Sequence, residues 1–211
     1  MDRVTLALTR GDRILADELK LLSSIGIEPD ENIEKSRKLV FGTSRPGVEL
    51  MVLRGSDVPT YVEHGVADIG ICGKDVLLEH GEEGYYQPLD LKIGHCRMMV
   101  AGFADEPPLP RRIKVASKFV NTAKRYYADL GIQVDVIKLY GAMELAPIVG
   151  LAHRIVDIVE TGNTLKANGL VPLDHICDIS TRLIVNKVSM KMKHETVQKL
   201  VEEFAGAVEA L

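Results

Sequence analysis

Short apolar runs of strand length alternate along this chain with segments whose apolar residues recur every three or four positions. Residues 4–8 form the first run, and the turn Thr9-Arg10-Gly11-Asp12 leads into residues 13–25, where Ile14, Leu15, Leu19 and Leu22 have helical spacing and Gly26 provides a stop. Ser36-Arg37-Lys38-Leu39-Val40-Phe41 is a basic cluster opening another strand. Residues 48–53 are a further strand. Asp57 is the N-cap and Pro59 the first-turn residue of a helix reaching about Glu63, closed by Gly65. Residues 66–77 read as strand, Gly73-Lys74-Asp75 turn and helix.

The second half repeats the rhythm. Residues 85–95 are mixed and read as a crossover between lobes, 96–101 as a strand, and the proline-rich stretch 105–110 as an exposed loop. Then come a strand (113–116), a helix (120–130) stopped by Gly131, a strand (134–139) and a helix (142–151) containing Glu144. The apolar run 155–159, interrupted by Asp157, ends in Glu160-Thr161-Gly162-Asn163-Thr164, with a helix from Leu165 onwards. Residues 171–179 look irregular and 182–190 alternate as a strand. Residues 193–211 carry Val197, Leu200, Val201, Phe204, Val208 and Leu211 on one face of a helix. Strands alternating with helices predict an α/β protein. The expected division is a first lobe of residues 1–92 with 182–211 and a second of 93–181.

Two segments can be superimposed. With Asp68 on Asp157, Ile69 falls on Ile158, Gly73 on Gly162, Asp75 on Thr164 and Val76 on Leu165. Either this is coincidence between two ordinary βα units, or the lobes are similarly wound and their matching turns face each other across a cleft. Ligands of open α/β sheets bind at the carboxyl ends of strands.

Charge and composition narrow the chemistry. A chain of 211 residues with 46% hydrophobic content, 27% charged content and a net charge of −4 is an ordinary globular protein without the basic footprint of a nucleic-acid binder. Its first residues lack a basic stretch followed by a long apolar one, which predicts a cytoplasmic protein. Cys72, Cys96 and Cys177 are scattered and read as reduced thiols. The histidines show no zinc spacing, His153 reads as a surface residue, and neither a nucleotide P-loop nor a dinucleotide fingerprint is present. No resident metal site is expected.

What remains is an acid-then-Thr-Gly-x-Thr turn and a set of arginines. A strand, a polar glycine turn and a helix start offer backbone N–H groups and hydroxyls to a phosphate. Asp157 and Glu160 would repel a bare phosphate but suit a ligand that also carries hydroxyls or a divalent cation, such as a sugar phosphate. A phosphoribosyl donor fits: Thr161, Gly162, Asn163 and Thr164 at its 5′-phosphate, Asp157 or Glu160 at its ribose hydroxyls, and magnesium with arginine support at the leaving pyrophosphate. Charge stabilisation of that leaving group matters because a lost donor of this kind costs on the order of 2.7–4 kcal/mol.

The run Glu144, Gly150, Ala152, Ile155, Asp157, Ile158, Thr161, Gly162, Thr164, Leu165 resembles the signature of the ATP phosphoribosyltransferase family, which opens histidine biosynthesis. Type I phosphoribosyltransferases carry a similar turn but usually with adjacent acids before it. The resemblance implies a two-lobed fold of the type II periplasmic-binding-protein kind with the active site in the inter-lobe cleft. It implies attack by N1 of the ATP adenine on the anomeric carbon of the donor (PRPP), giving phosphoribosyl-ATP, with Mg2+ carried by the substrates. By position, Arg13 and Arg37 would face the pyrophosphate. Asp157, Glu160, Thr161, Gly162, Asn163, Thr164 and Glu144 would hold the donor, and Arg10, Arg54, Gly73, Lys74 and Asp75 would lie near ATP. The family's first turn commonly reads Pro- or Ser-Lys-Gly-Arg, whereas here Asp12 stands between Gly11 and Arg13. An end at Leu211 resembles the family's short form. That implies a homodimer of this chain working with a histidyl-tRNA-synthetase-like regulatory subunit in a hetero-octamer. A solute-binding domain on the same fold, and a transferase acting on another base, are the rival readings.

Overall fold

Strand β1 (Val4–Thr9) is buried at every position, as expected of an interior strand covered on both faces. The computed structural model describes residues 3–81, 83–106 and 108–210, with the side chains of Asp12 and Arg13 outside that description. It divides into two units, residues 1–94 with 180–211 and residues 95–179. In the first unit, helix α1 (Asp12–Ser24) buries Leu15, Leu21 and Leu22 with Leu19 packed beside them, whereas Ile14 is only half-buried. Gly26 ends the helix at a φ of 72°, a conformation costly for other residues. Strand β2 (Val40–Gly42) pairs antiparallel with β3 (Val48–Leu53), and β3 runs parallel to β1. Helix α2 (Val58–Glu63) follows. Strand β4 (Ile69–Gly73) then lies parallel on the other side of β1 and leads directly into α3 (Lys74–His80). Residues 85–90, expected to belong to a crossing, instead form strand β5 (Tyr85–Asp90) of this unit.

The second unit holds β6 (Cys96–Gly102), β7 (Arg112–Ser117), α4 (Val120–Asp129), β8 (Gln133–Lys138), α5 (Leu145–Ile148), β9 (Arg154–Val159), α6 (Asn163–Ala167) and β10 (Val171–Ile179). Its sheet has the order β10-β6-β9-β7-β8, with β7, β8 and β9 parallel and β6 antiparallel to both neighbours. Two expectations fail here. Residues 171–179 are not irregular but form an edge strand with register shifts at Pro172/Asp174 and His175/Cys177. An edge tolerates proline and bulges, and both blur the period-2 pattern. Helix 142–151 shrinks to α5, because Ala142 adopts a φ of 49°, Pro147 lacks an N–H and Gly150 turns at 73°. His153 is partly exposed, and its Nδ1 accepts the Lys114 amide at 2.8 Å. In the 105–110 loop Glu106 is tucked in by a forked pair with Arg154, at 3.0 and 2.6 Å.

The chain then returns. Strand β11 (Thr181–Asn186) inserts between β4 and β5, antiparallel to each, completing the order β2-β3-β1-β4-β11-β5. The alternation expected to run to residue 190 stops at Asn186, whose Oδ1 accepts the amides of Val188 and Ser189 at 2.9 and 2.8 Å. That cap starts helix α7 (Lys187–Met192). Helix α8 (His194–Glu209) buries Val197, Leu200, Val201, Phe204 and Val208 against β1, β3, β4 and α1, as its stripe predicts; Leu211 lies outside the described residues.

Asp68, just before β4, is 4% exposed and fastens this return. Its carboxylate accepts the Thr5 amide (2.9 Å), the Ser189 hydroxyl (2.6 Å) and Lys193 Nζ (2.9 Å). Asp68→Ala would leave three donors without their shared acceptor. We expect a loss of about 2–3 kcal/mol, reduced from the cost of breaking a fully buried pair because Lys193 is partly exposed. Urea unfolding of the two chains measures it, and an unchanged midpoint would show that the return is held by α8 packing alone.

Candidate active site

The parallel strands of the first unit deliver their carboxyl ends to one edge. Thr9 pairs with Leu53, and the Arg10 amide donates to the Leu53 carbonyl at 2.5 Å, so Arg10 and Arg54 leave adjacent strands side by side. Thr9 Oγ1 donates to the Ile71 carbonyl at 2.9 Å, tying the end of β1 to β4 shortly before Gly73. The Val52 amide donates to the Leu39 carbonyl at 2.8 Å, which draws the segment before β2, two residues after Arg37, along the end of β3. Arg10, Arg37 and Arg54 are exposed and Lys74 is half-buried at the first position of α3. Arg13 follows in the first turn of α1, its side chain outside the described residues. Asp75 behaves differently from its neighbours. It is buried, and its Oδ1 stands 2.2 Å from where a Cβ on Gly73 would be, so it closes the turn and leaves no room for a side chain at 73.

In the second unit, β9 ends at Val159 and Gly162 caps α6 in the left-handed conformation, φ 78° and ψ 3°. Glycine is favoured there because a Cβ would clash with the backbone. Helix α6 begins at Asn163, two residues earlier than expected. Glu160, Thr161, Asn163 and Thr164 are exposed, and Asp157 is half-buried with its Oδ1 accepting the Ile158 amide at 2.8 Å. Glu144 caps α5. Met143 and Ala146 share a core cluster with Ile155, Val159 and Leu165, so Glu144, Asp157 and the 160–164 turn are gathered around one packed centre.

The superposition of 68–76 on 157–165 holds in part: Ile69 and Ile158 lie in strands, Asp75 with Val76 and Thr164 with Leu165 take the same second and third positions of the helices that follow, and Gly73 and Gly162 precede those helices. Both cap a helix, but Gly73 is extended at φ −67° and Gly162 is left-handed. Asp68 stands before its strand as a structural anchor, whereas Asp157 lies within β9.

One acid escaped the sequence reading. Glu18 is fully buried, its Oε2 accepts the Thr9 amide at 2.9 Å, and its Oε1 has no partner among the described residues. Burial pushes its carboxyl well above the ordinary value, and the hydrogen bonds with Thr9 only partly oppose that. Burial, with Glu18 and Asp75 nearby, also pushes up the Cys72 thiol. The signal was available, since positions 15, 18 and 22 share a helix face and an acid stands between two leucines on it.

Residues 54–206 match the model of the family described as HisG: ATP phosphoribosyltransferase. The chain belongs to the ATP phosphoribosyltransferase family. An ATP phosphoribosyltransferase of Hahella chejuensis is 62% identical over 207 residues, covering 98% of each chain. Among solved structures, the ATP phosphoribosyl transferase (HisG:HisZ) complex of Thermotoga maritima contains a chain that is 37% identical with a TM-score of 0.84, covering 99% of this chain and all of that one. The periplasmic aliphatic sulphonate binding protein SsuA of Escherichia coli shares the fold at 12% identity and a TM-score of 0.59, covering 99% of this chain and 69% of that one. The fold is thus the two-lobed kind found in periplasmic binding proteins.

In this ATP phosphoribosyltransferase-family chain, Glu18 makes stability depend on pH with a definite sign. The unfolded chain releases the Glu18 proton near pH 4.3, while the native chain keeps it to higher pH. Native stability therefore falls as pH rises through that window. Glu18→Gln removes the titration. The stability of the parent relative to Glu18→Gln should fall by at most about 1.4 kcal/mol per pH unit from pH 4 towards neutrality, read from urea unfolding. A difference that does not change with pH would mean that Glu18 ionises normally.

Proposed function

We propose that the Asp157–Leu165 segment binds the phosphoribosyl donor PRPP and that the cationic strand edge of the first unit binds ATP in an ATP phosphoribosyltransferase reaction. The observation that carries this reading is the turn capped by left-handed Gly162, where Thr161, Asn163 and Thr164 are exposed beside Glu160 and Asp157 and the Thr161 hydroxyl accepts the Asn163 amide at 3.4 Å. The turn N–H groups and threonines take the 5′-phosphate, and Asp157 and Glu160, with Glu144, accept from the ribose hydroxyls. Arg10, Arg54 and the Gly73–Lys74 turn take the adenine nucleotide, with Asp75 holding the turn in shape. Arg13 and Arg37 support the departing pyrophosphate.

Adenine N1 attacks the anomeric carbon. The new N1–C1′ bond forms as the bond from C1′ to the pyrophosphate oxygen breaks, and the electron pair leaves with pyrophosphate. N1 carries its own lone pair, so no general base is needed to create the nucleophile. Magnesium enters as part of the two polyphosphate substrates. The product is phosphoribosyl-ATP, the first intermediate of histidine biosynthesis.

The likeness to the Thermotoga maritima chain, which was solved in a HisG:HisZ complex, supports a histidyl-tRNA-synthetase-like regulatory partner and a hetero-octamer built on homodimers of this chain. No helix among the described residues is long and apolar enough to cross a membrane, in keeping with a cytoplasmic biosynthetic enzyme. Residues 54–206 matching a transferase family weigh against a purely solute-binding role.

Phosphoribosyl-ATP should form from ATP, PRPP and Mg2+, followed by absorbance with and without the regulatory subunit, and no product in either condition would overturn the assignment. Thr161→Ala and Thr164→Ala should each weaken PRPP binding roughly tenfold, the loss of about 1.4 kcal/mol expected of a donor to an exposed phosphate. Unchanged dissociation constants would remove the turn from the donor site. Arg37→Ala should lower kcat more than PRPP affinity, because its contact strengthens as pyrophosphate departs; an unchanged kcat would take Arg37 out of the mechanism.

A further inference from the structure

The 160–164 turn contains an acid, Glu160, and no cation, and Asp157 precedes it, so the local charge opposes a phosphate. Lys166 stands in the last turn of α6, beyond the capping glycine. The neighbouring strand supplies a closer candidate. Antiparallel register sets Arg97 of β6 opposite Val159, the residue immediately before Glu160. Opposed residues of an antiparallel pair project from the same face with Cβ atoms about 4.5–5.5 Å apart.

That face is the one covered by the turn. Val159 belongs to the core cluster that includes Leu165 of α6, and its Cγ1 lies 3.8 Å from where a Cβ on Gly162 would stand. Arg97 therefore rises beside the turn, on its side of the sheet. Its partner across β10 is Asp178, whose carboxylate takes His175 Nε2 at 2.9 Å. Among the described residues no side-chain hydrogen bond or ion pair engages Arg97, and it is exposed. Arg154, at the opposite end of β9, shows what a structural arginine looks like in this sheet: half-buried and forked onto Glu106.

We propose that Arg97 is a donor-binding residue whose guanidinium takes the 5′-phosphate of the phosphoribosyl group seated on the 160–164 turn. The proposal rests on the donor reading of that turn given above. It supplies the positive charge that the turn lacks, from a planar group matched to phosphate oxygens. With Arg97 at the phosphate, Asp157 and Glu160 are left to face the ribose hydroxyls.

The test compares Arg97→Ala, Arg97→Lys, Lys166→Ala and Thr161→Ala on the full chain. Dissociation constants are measured for PRPP, ribose 5-phosphate, inorganic pyrophosphate and ATP, and kcat with the regulatory subunit present. Arg97→Ala should weaken PRPP and ribose 5-phosphate roughly tenfold. It should raise the KM for PRPP by more than it lowers kcat and leave pyrophosphate and ATP binding largely in place, with Arg97→Lys recovering part of the loss and Lys166→Ala losing little. Such a split marks uniform substrate binding, which a general structural defect would not produce. Should Arg97→Ala lose ATP binding as well, Arg97→Lys carries the same comparison with the side-chain stem retained. Unchanged PRPP and ribose 5-phosphate binding in Arg97→Ala, with Thr161→Ala still weakened, would overturn the role of Arg97 and leave the turn as donor site. Unchanged binding in both would overturn the two together. A loss of pyrophosphate rather than ribose 5-phosphate binding would overturn the 5′-phosphate assignment.

Discussion

The first sheet depends on one buried carboxylate that gathers distant parts of the chain. Asp68 sits at the entrance to β4 and accepts from the Thr5 amide of β1, from Ser189 of α7 and from Lys193 at the start of α8. Lys193 Nζ also donates to the Arg3 carbonyl at 2.6 Å. Burying a carboxylate is costly unless it is paired and hydrogen-bonded, and this one is both. The contact secures the amino ends of the strands. Their carboxyl ends, where Arg10, Arg54 and Lys74 stand, are tied instead by Thr9, whose amide donates to Glu18 and whose hydroxyl donates to the Ile71 carbonyl. The Asp68 anchor and the proposed nucleotide site thus occupy opposite ends of the same strands.

The two units solve charge differently. The edge of the first carries Arg10, Arg37, Arg54 and Lys74, and beneath it burial holds the Glu18 carboxyl well above its ordinary value. The turn of the second holds Glu160 and no cation, and Arg97 of the neighbouring strand is the compensation proposed for it. This division is the one the proposed binding of ATP by the first unit and of the phosphoribosyl donor by the second calls for.

Much of this was legible in the sequence, because interior strands and amphipathic helices declare themselves. Strands β1, β3 and β9 and helices α1, α4 and α8 stand close to where periodicity put them. The failures share a cause. β10 is an edge strand with two register shifts, and β5 carries Pro88 where its pairing with β11 shifts between Leu183 and Val185; both break the alternation on which a strand reading relies. Asn186 ended β11 through a cap that only tertiary contacts reveal, its Nδ2 donating to the Val62 carbonyl at 2.7 Å. At the site, residue types at the Gly162 turn were readable from spacing. Glu18 was readable in principle but hidden by the expectation that acids face water. Arg97 was not readable, because its relevance comes from register across two strands far apart in sequence.

The sheet order of the first unit has a consequence for biosynthesis of the chain. Strand β5 pairs with β11 and with no other strand of its sheet, yet the whole second unit is translated between them. As the chain leaves the ribosome, the contiguous second unit can finish folding first. Meanwhile residues 85–90 wait with an open edge, one that would otherwise invite pairing with other chains. Pro88, which has no N–H to offer a neighbour, and the terminal Asp90 make that waiting strand a poor template for aggregation. The same proline that obscured β5 in the sequence thereby guards it during synthesis.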